Sequence, residues 1–194
     1  MTKIIGLTGG IGSGKTTIAK YFEAKGIPVY IADEKAKILT NDPKVLELIK
    51  KEFGASIFDN DILNRKKLSA IVFNNQKKLE QLNKIIHPLV KKDFDKWLEN
   101  HSKSEYIVKE SAILFESNSY LDCYIIIAII CPIEIRLERV LSRDNITKEQ
   151  ILLKIKAQIS EKELIVKSDY IINNIDLNIS KMQVDKFLKL LNFK

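Results

Sequence analysis

Eight residues near the N-terminus, Gly9-Gly10-Ile11-Gly12-Ser13-Gly14-Lys15-Thr16, fit the pattern G-x-x-x-x-G-K-[ST]. They stand between an apolar run, Lys3 to Thr8, and an amphipathic segment, Thr16 to Lys25. The pattern has chemical meaning only between a buried strand and a helix, and the flanks read as those two elements. Five of the seven glycines (Gly6, Gly9, Gly10, Gly12 and Gly14) crowd into this stretch. Residues without a Cβ can turn tightly enough to point successive backbone N–H groups inward. The helix start adds unpaired amides and the positive end of its dipole. The spacing therefore predicts a loop, Gly10 to Thr16, that wraps a nucleoside triphosphate. Lys15 would reach the β- and γ-phosphates, and the Thr16 hydroxyl would stand at a Mg²⁺ ion.

The rest of the chain alternates between strand and helix patterns. Strands are expected at Lys3 to Thr8, Ile27 to Ala32, Tyr106 to Lys109, Tyr124 to Ile130 and Asp169 to Asn173. The unbroken apolar run of the fourth is what a strand covered on both faces requires. Helices follow at Pro132 to about Arg143, from the capping-box pattern Thr147-Lys148-Glu149-Gln150, and at Leu177 to Leu191. Between the second and third strands the chain is mainly helical, with a turn around Gly54 to Asn60 and no strand pattern. The fold class predicted is α/β: a three-layer fold around a five-stranded, mostly parallel sheet, ligands sitting at the carboxyl ends of the strands. One domain would span residues 1–194, with a helical insertion at about 34–100 and a short helical lid at about 139–160.

Composition narrows the setting. With 194 residues, 45% hydrophobic and 29% charged, the chain lies far from disordered classes. Its longest apolar stretch, Tyr124 to Cys131, has eight residues, short of the roughly 20 a membrane span needs. The two cysteines, Cys123 and Cys131, form neither a disulfide framework nor a zinc spacing, which suits a cytoplasmic protein. The net charge of +7 comes from dispersed lysines, with no block of five or six like charges and no cluster of aromatics for base stacking. The expectation is no nucleic-acid partner and no membrane partner.

Other nucleotide proteins lack their marks here. No glycine completes a D-x-x-G segment, and Asn83-Lys84 continues as Ile85-Ile86 rather than N-K-x-D, which excludes a GTPase switch. Tyr106 to Glu110 only weakly resembles the acidic strand end of a motor ATPase. A kinase of small molecules remains, and it needs a carboxylate near the γ-phosphate and cations over the transferring group. Asp33, at the end of the second strand, suits a general base and equally a helix N-cap, and the two roles are compatible. Arg136, Arg139 and Arg143 recur on one helix face. Arg136 is expected on a solvated face beside Glu134 and Glu138. Arg139 and Arg143 precede the loop signal Asp144-Asn145 and suit a lid, where guanidinium forks bind phosphate oxygens.

Several segments together resemble the dephospho-CoA kinase family, nearly end to end. They are Gly6-Leu7-Thr8-Gly9-Gly10-Ile11-Gly12-Ser13-Gly14-Lys15, Gly26-Ile27-Pro28-Val29 leading to Ala32-Asp33, Arg65 and Leu68 with Ile71-Val72-Phe73, and Ile85-Ile86-His87-Pro88. Leu114-Phe115-Glu116, Arg139 with Arg143, Gln158, and Asp169-Tyr170-Ile171-Ile172-Asn173-Asn174 complete the resemblance. It implies transfer of the γ-phosphoryl group of ATP, with Mg²⁺, to the ribose 3′-hydroxyl of dephospho-CoA, in a monomer or weak homo-oligomer. It implies Asp33 as base, Lys15 and Arg139 as charge stabilisers, and Thr17 and Arg143 beside the nucleotide. Thr8, Asp33, Arg65 and His87 would be on the acceptor side, with the pantetheine arm against the helical insertion. His87, before Pro88, reads either as an acceptor contact or as a turn or cap feature. Ile31 stands where the family usually has a further Asp, so any role shared between two carboxylates falls to Asp33 alone. A nucleoside or nucleoside-monophosphate kinase of the same fold is the alternative reading.

Overall fold

The computed structural model describes residues 2–73, 75–144 and 146–193. Asn145, half of the loop signal after Arg143, lies outside the described residues, as does the side chain of Phe73. The chain begins with β1 (Lys3–Gly9), buried at six of its seven residues, then the glycine-rich loop and α1 (Lys15–Ala24). Helix α1 buries Lys15, Ile18, Ala19 and Phe22, one face at helical spacing. Strand β2 (Val29–Ile31) is shorter than Ile27 to Ala32. Pro28 has no N–H to give a ladder, and Ala32 already opens the next helix.

Residues Ala32–Glu99 form a compact unit of their own, and Met1–Ile31 with Asn100–Lys194 form the other. The first of these contains α2 (Ala32–Leu39), α3 (Pro43–Phe53), a hairpin of β3 (Phe58–Asp59) and β4 (Ile62–Leu63), α4 (Arg65–Phe73) and α5 (Gln76–Asn100). Val45, Ile49, Ile57, Leu68, Val72 and Ile86 make its core. The hairpin corrects the expectation of no strand here. Asn60 (φ 49°) and Asp61 (φ 62°) are both left-handed, the backbone of a tight two-residue hairpin turn that Asn and Asp tolerate. Helix α5 also corrects the reading of His87-Pro88 as a turn or cap, because it runs through Pro88 without ending. Proline there removes one backbone donor and leaves the carbonyl of Lys84, an exposed residue, without its helical partner.

The second unit resumes with β5 (Tyr106–Glu110), β6 (Ile125–Ile130), α6 (Ile133–Arg143), α7 (Lys148–Lys156), α8 (Glu161–Lys167), β7 (Tyr170–Asn173) and α9 (Leu177–Leu190). The sheet order is β2-β5-β1-β6-β7, every pair parallel. Alternate residues of β6 face opposite layers, as a pleated strand dictates. Ile127 and Ile129 join Ile18, Phe22, Val184 and Phe187, while Ile126 and Ala128 join Leu114, Phe115 and Leu164. Each such buried Ile or Phe contributes about 1.5–3 kcal/mol, so the sheet is fixed by its core and the loops at its carboxyl edge are left for chemistry. The capping box expected at Thr147 and Gln150 is present, and a second one, Ser160 with Glu163, starts α8.

Candidate active site

The loop after β1 is closed by a bond from Ser13 N–H to the Gly10 carbonyl, 3.1 Å. Gly14 ends it in the left-handed region, φ 89°, and is the N-cap of α1. Side chains from distant elements then grip the loop. Asn174 Nδ2, just past β7, donates to the Ser13 carbonyl at 2.7 Å, and Ser180 Oγ donates to Asn174 Oδ1 at 2.9 Å. Gln158 Oε1 accepts from Ile11 N–H at 2.8 Å. Ser13 Oγ is buried without a hydrogen-bond partner among the described residues.

Lys15 sits in the first turn of α1, buried, with Nζ 3.4 Å from the Gly10 carbonyl. Thr16 Oγ1 donates to Glu110 Oε2 at 3.4 Å, and Thr17 is exposed with its N–H bonded to Gly14. Glu110 ends β5 and is 1% exposed; it stands in register with both Leu7 and Ile31. A hydroxyl and a carboxylate fit a Mg²⁺ ion, which takes one or two protein oxygens and completes its shell with water and substrate phosphates. Among the described residues no group of three or more His, Cys, Asp or Glu forms a protein cage. Thr8 is buried within β1.

The three arginines of α6 have different surroundings. Arg139 Nη1 donates to Cys131 Sγ at 3.4 Å and Nη2 to the Ile175 carbonyl at 3.2 Å. A Cβ on Gly14 would stand 3.6 Å from Arg139 Nη1, so the guanidinium lies beside the loop. Burial raises the Cys131 thiol against the pull of Arg139 and Arg136, keeping it neutral. Arg143 is taken up by its neighbour Asp144 in two bonds of 2.8 and 2.9 Å, which raise its pKa. Arg136 overturns the expectation of a solvated face. It is 7% exposed, its Nε donates to the Ile11 carbonyl at 2.8 Å, and its acidic neighbour is Glu161, 3.9 Å away, rather than Glu134 or Glu138.

In the other unit, Asp33 lies half-buried in the first turn of α2. The helix opens one residue earlier, at Ala32, so Asp33 is not its N-cap. Arg65 Nη2 donates to the Lys37 carbonyl and to Asn41 Oδ1, both at 2.9 Å, and so ties α4 to the end of α2. His87 has a buried Nε2 with no hydrogen-bond partner among the described residues, and burial lowers its pKa from 6.5. Well above pH 6.5 the imidazole is neutral folded and unfolded, and no stability turns on it. Below that pH the unfolded chain takes up the proton first, so stability falls as the pH drops toward the lower folded value. Melting curves between pH 7.5 and 5.5 should show wild type losing more than His87→Gln; parallel losses would refute this.

The sequence reading gave no role to Glu110, Asn174 or Arg136 at this site. Glu110 carried a usable signal, an acid at the carboxyl end of a strand next to the loop-bearing one. The other two act across at least 125 residues of sequence and left none.

Comparison with known proteins agrees with this fold. A sequence model of the dephospho-CoA kinase family matches residues 3–179. A dephospho-CoA kinase of Fusobacterium nucleatum is 43% identical over 186 residues, 95% of this chain and 96% of the relative. The crystal structure of TT1252 from Thermus thermophilus superposes with a TM-score of 0.87 at 26% identity, covering 100% of this chain and 98% of that one. A dephospho-CoA kinase from Campylobacter jejuni shares the fold, with a TM-score of 0.68 at 23% identity and 98% of each chain covered. With its phosphate loop, its parallel sheet and these matches along nearly its whole length, the chain belongs to the dephospho-CoA kinase family.

Proposed function

We propose that the chain transfers the γ-phosphoryl group of ATP to the ribose 3′-hydroxyl of dephospho-CoA, with Asp33 as general base and Lys15 and Arg139 as charge stabilisers. Family membership supports the substrates. The observation that carries the chemistry is the hydroxyl–carboxylate pair of Thr16, in the first turn after a phosphate loop, and Glu110, at the end of β5. Phosphoryl transfer asks a protein mainly for positioning and for charge placed where charge develops. The 3′-oxygen forms a bond to the γ-phosphorus as the bond to the β–γ bridging oxygen breaks, and the hydroxyl proton passes to Asp33. Lys15 and Arg139 hold the charge that spreads over the equatorial and leaving oxygens. A Mg²⁺ held by Thr16 and Glu110 would neutralise phosphate charge.

Backbone amides of Gly12, Gly14, Lys15 and Thr16 would receive the phosphates, with Gly10, Ile11 and Ser13 shaping the loop and Thr17 and Arg143 near the nucleotide. Thr8, Arg65 and His87 would be on the acceptor side. Free Cys123 and Cys131 support a reducing, cytoplasmic setting, and no helix among the described residues is long and apolar enough to cross a membrane. The protein would act as a monomer or weak homo-oligomer. Purified protein with ATP and Mg²⁺ should convert dephospho-CoA to CoA with release of ADP, in preference to nucleosides and nucleoside monophosphates. Folded protein that forms no CoA, or that phosphorylates a nucleoside monophosphate faster, would overturn the reading.

A further inference from the structure

Arg136 has no place in the chemistry above, yet it is buried against the phosphate loop. Its guanidinium lies against Gly10: a Cβ there would come within 2.2 Å of Nη2 and 2.6 Å of Cζ. Gly10 is not in the positive-φ region, so its lack of a side chain makes room for the arginine rather than for a special turn. Nε donates to the Ile11 carbonyl at 2.8 Å while Gln158 Oε1 takes the Ile11 N–H at 2.8 Å. Gln158 is itself anchored, its Nε2 donating to the Ala112 carbonyl at 3.3 Å. Glu161, at the start of α8, stands 3.9 Å from Arg136 Nη1.

From this geometry we infer that Arg136 and Gln158 are positioning residues for the nucleotide, two jaws of a clamp on Ile11 that fixes the pitch of the loop before ATP arrives. With its N–H and C=O both engaged, Ile11 has no polar backbone atom left to turn toward a phosphate. Its conformation is pinned instead, and so is the direction of the amides that follow, from Gly12 onward. A buried, paired arginine is a poor device for stability alone. As a charge-assisted donor to one carbonyl of a glycine-rich loop it removes freedom that binding would otherwise have to remove. The clamp rests on the proposed nucleotide site.

The test is ATP binding by calorimetry without acceptor, followed by steady-state kinetics. Arg136→Gln should weaken ATP binding and raise its KM by roughly tenfold, the loss of one charge-assisted bond. The KM for dephospho-CoA and kcat should stay within about threefold, a split that general loosening of the fold does not produce. Arg136→Lys should recover part of the loss. Gly10→Ala, whose Cβ displaces the guanidinium, should reproduce the ATP defect in the wild type and add less than about twofold in the Arg136→Gln background. If Arg136→Gln does not fold, Gln158→Leu opens the other jaw and should show the same selective defect. Unchanged ATP affinity in both variants, or equal losses in kcat and both KM values, overturns the clamp alone. Wild type that binds no ATP overturns the nucleotide site itself.

Discussion

Asp33→Asn should lower kcat by about 10² or more while ATP affinity changes by no more than a few fold, the signature of a lost general base. The substitution keeps the shape of the side chain and removes its negative charge and, with it, its capacity to take a proton. Asp33 lies in the first turn of α2, two residues after β2 ends at Ile31. An acidic group there also complements the helix dipole, worth about 0.3–1 kcal/mol, so melting temperature should barely move. With isoleucine at position 31, no second carboxylate stands two residues earlier to take over the proton. Turnover and melting temperature measured together decide the matter. Unchanged turnover removes Asp33 from the mechanism, and a matching loss of folded protein would assign the effect to α2 instead.

What could be read without coordinates was whatever is local. The phosphate loop is contiguous, and strand, loop and helix follow one another over residues 3–24, so pattern and geometry coincide there. The buried run of β6 and the capping box at Thr147 depend on near neighbours in sequence and were legible for that reason. The hairpin of β3 and β4 was not, since two-residue strands are too short to show an alternation and its turn lacks the glycine that marks such loops. The arginines of α6 show the limit most clearly. Helical periodicity put Arg136, Arg139 and Arg143 on one face, which is correct as far as it goes. What each one meets depends on Ile11, Ile175 and Asp144, and only the last of these is near in sequence. Gln158 was visible as a lid residue by resemblance, but its bond to Ile11 was not.

Those surroundings determine which arginine can serve the reaction, and Arg139→Met should lower kcat by about 10³, in the range expected for an arginine that stabilises transferring phosphoryl charge. Arg143 already faces a carboxylate in a two-point pair, and Arg136 is held by the Ile11 carbonyl with Glu161 near. Among the described residues Arg139 donates only to a backbone carbonyl and to a thiol kept neutral by burial. Its positive charge is therefore uncompensated among the described residues, 3.6 Å from where a Cβ on Gly14 would be. A charge in that state gains most when negative charge builds up beside it, and gains more in the transition state than with ATP at rest. The ATP dissociation constant of Arg139→Met should accordingly rise only a few fold. Arg139→Lys, which keeps the charge but loses the planar fork, should lose about 10². Arg143→Met should lose far less than Arg139→Met, because Arg143 is exposed and its charge is already paired with Asp144. Equal losses in turnover for the two methionine variants would show that the charge on Arg139 is not directed at the reacting phosphate.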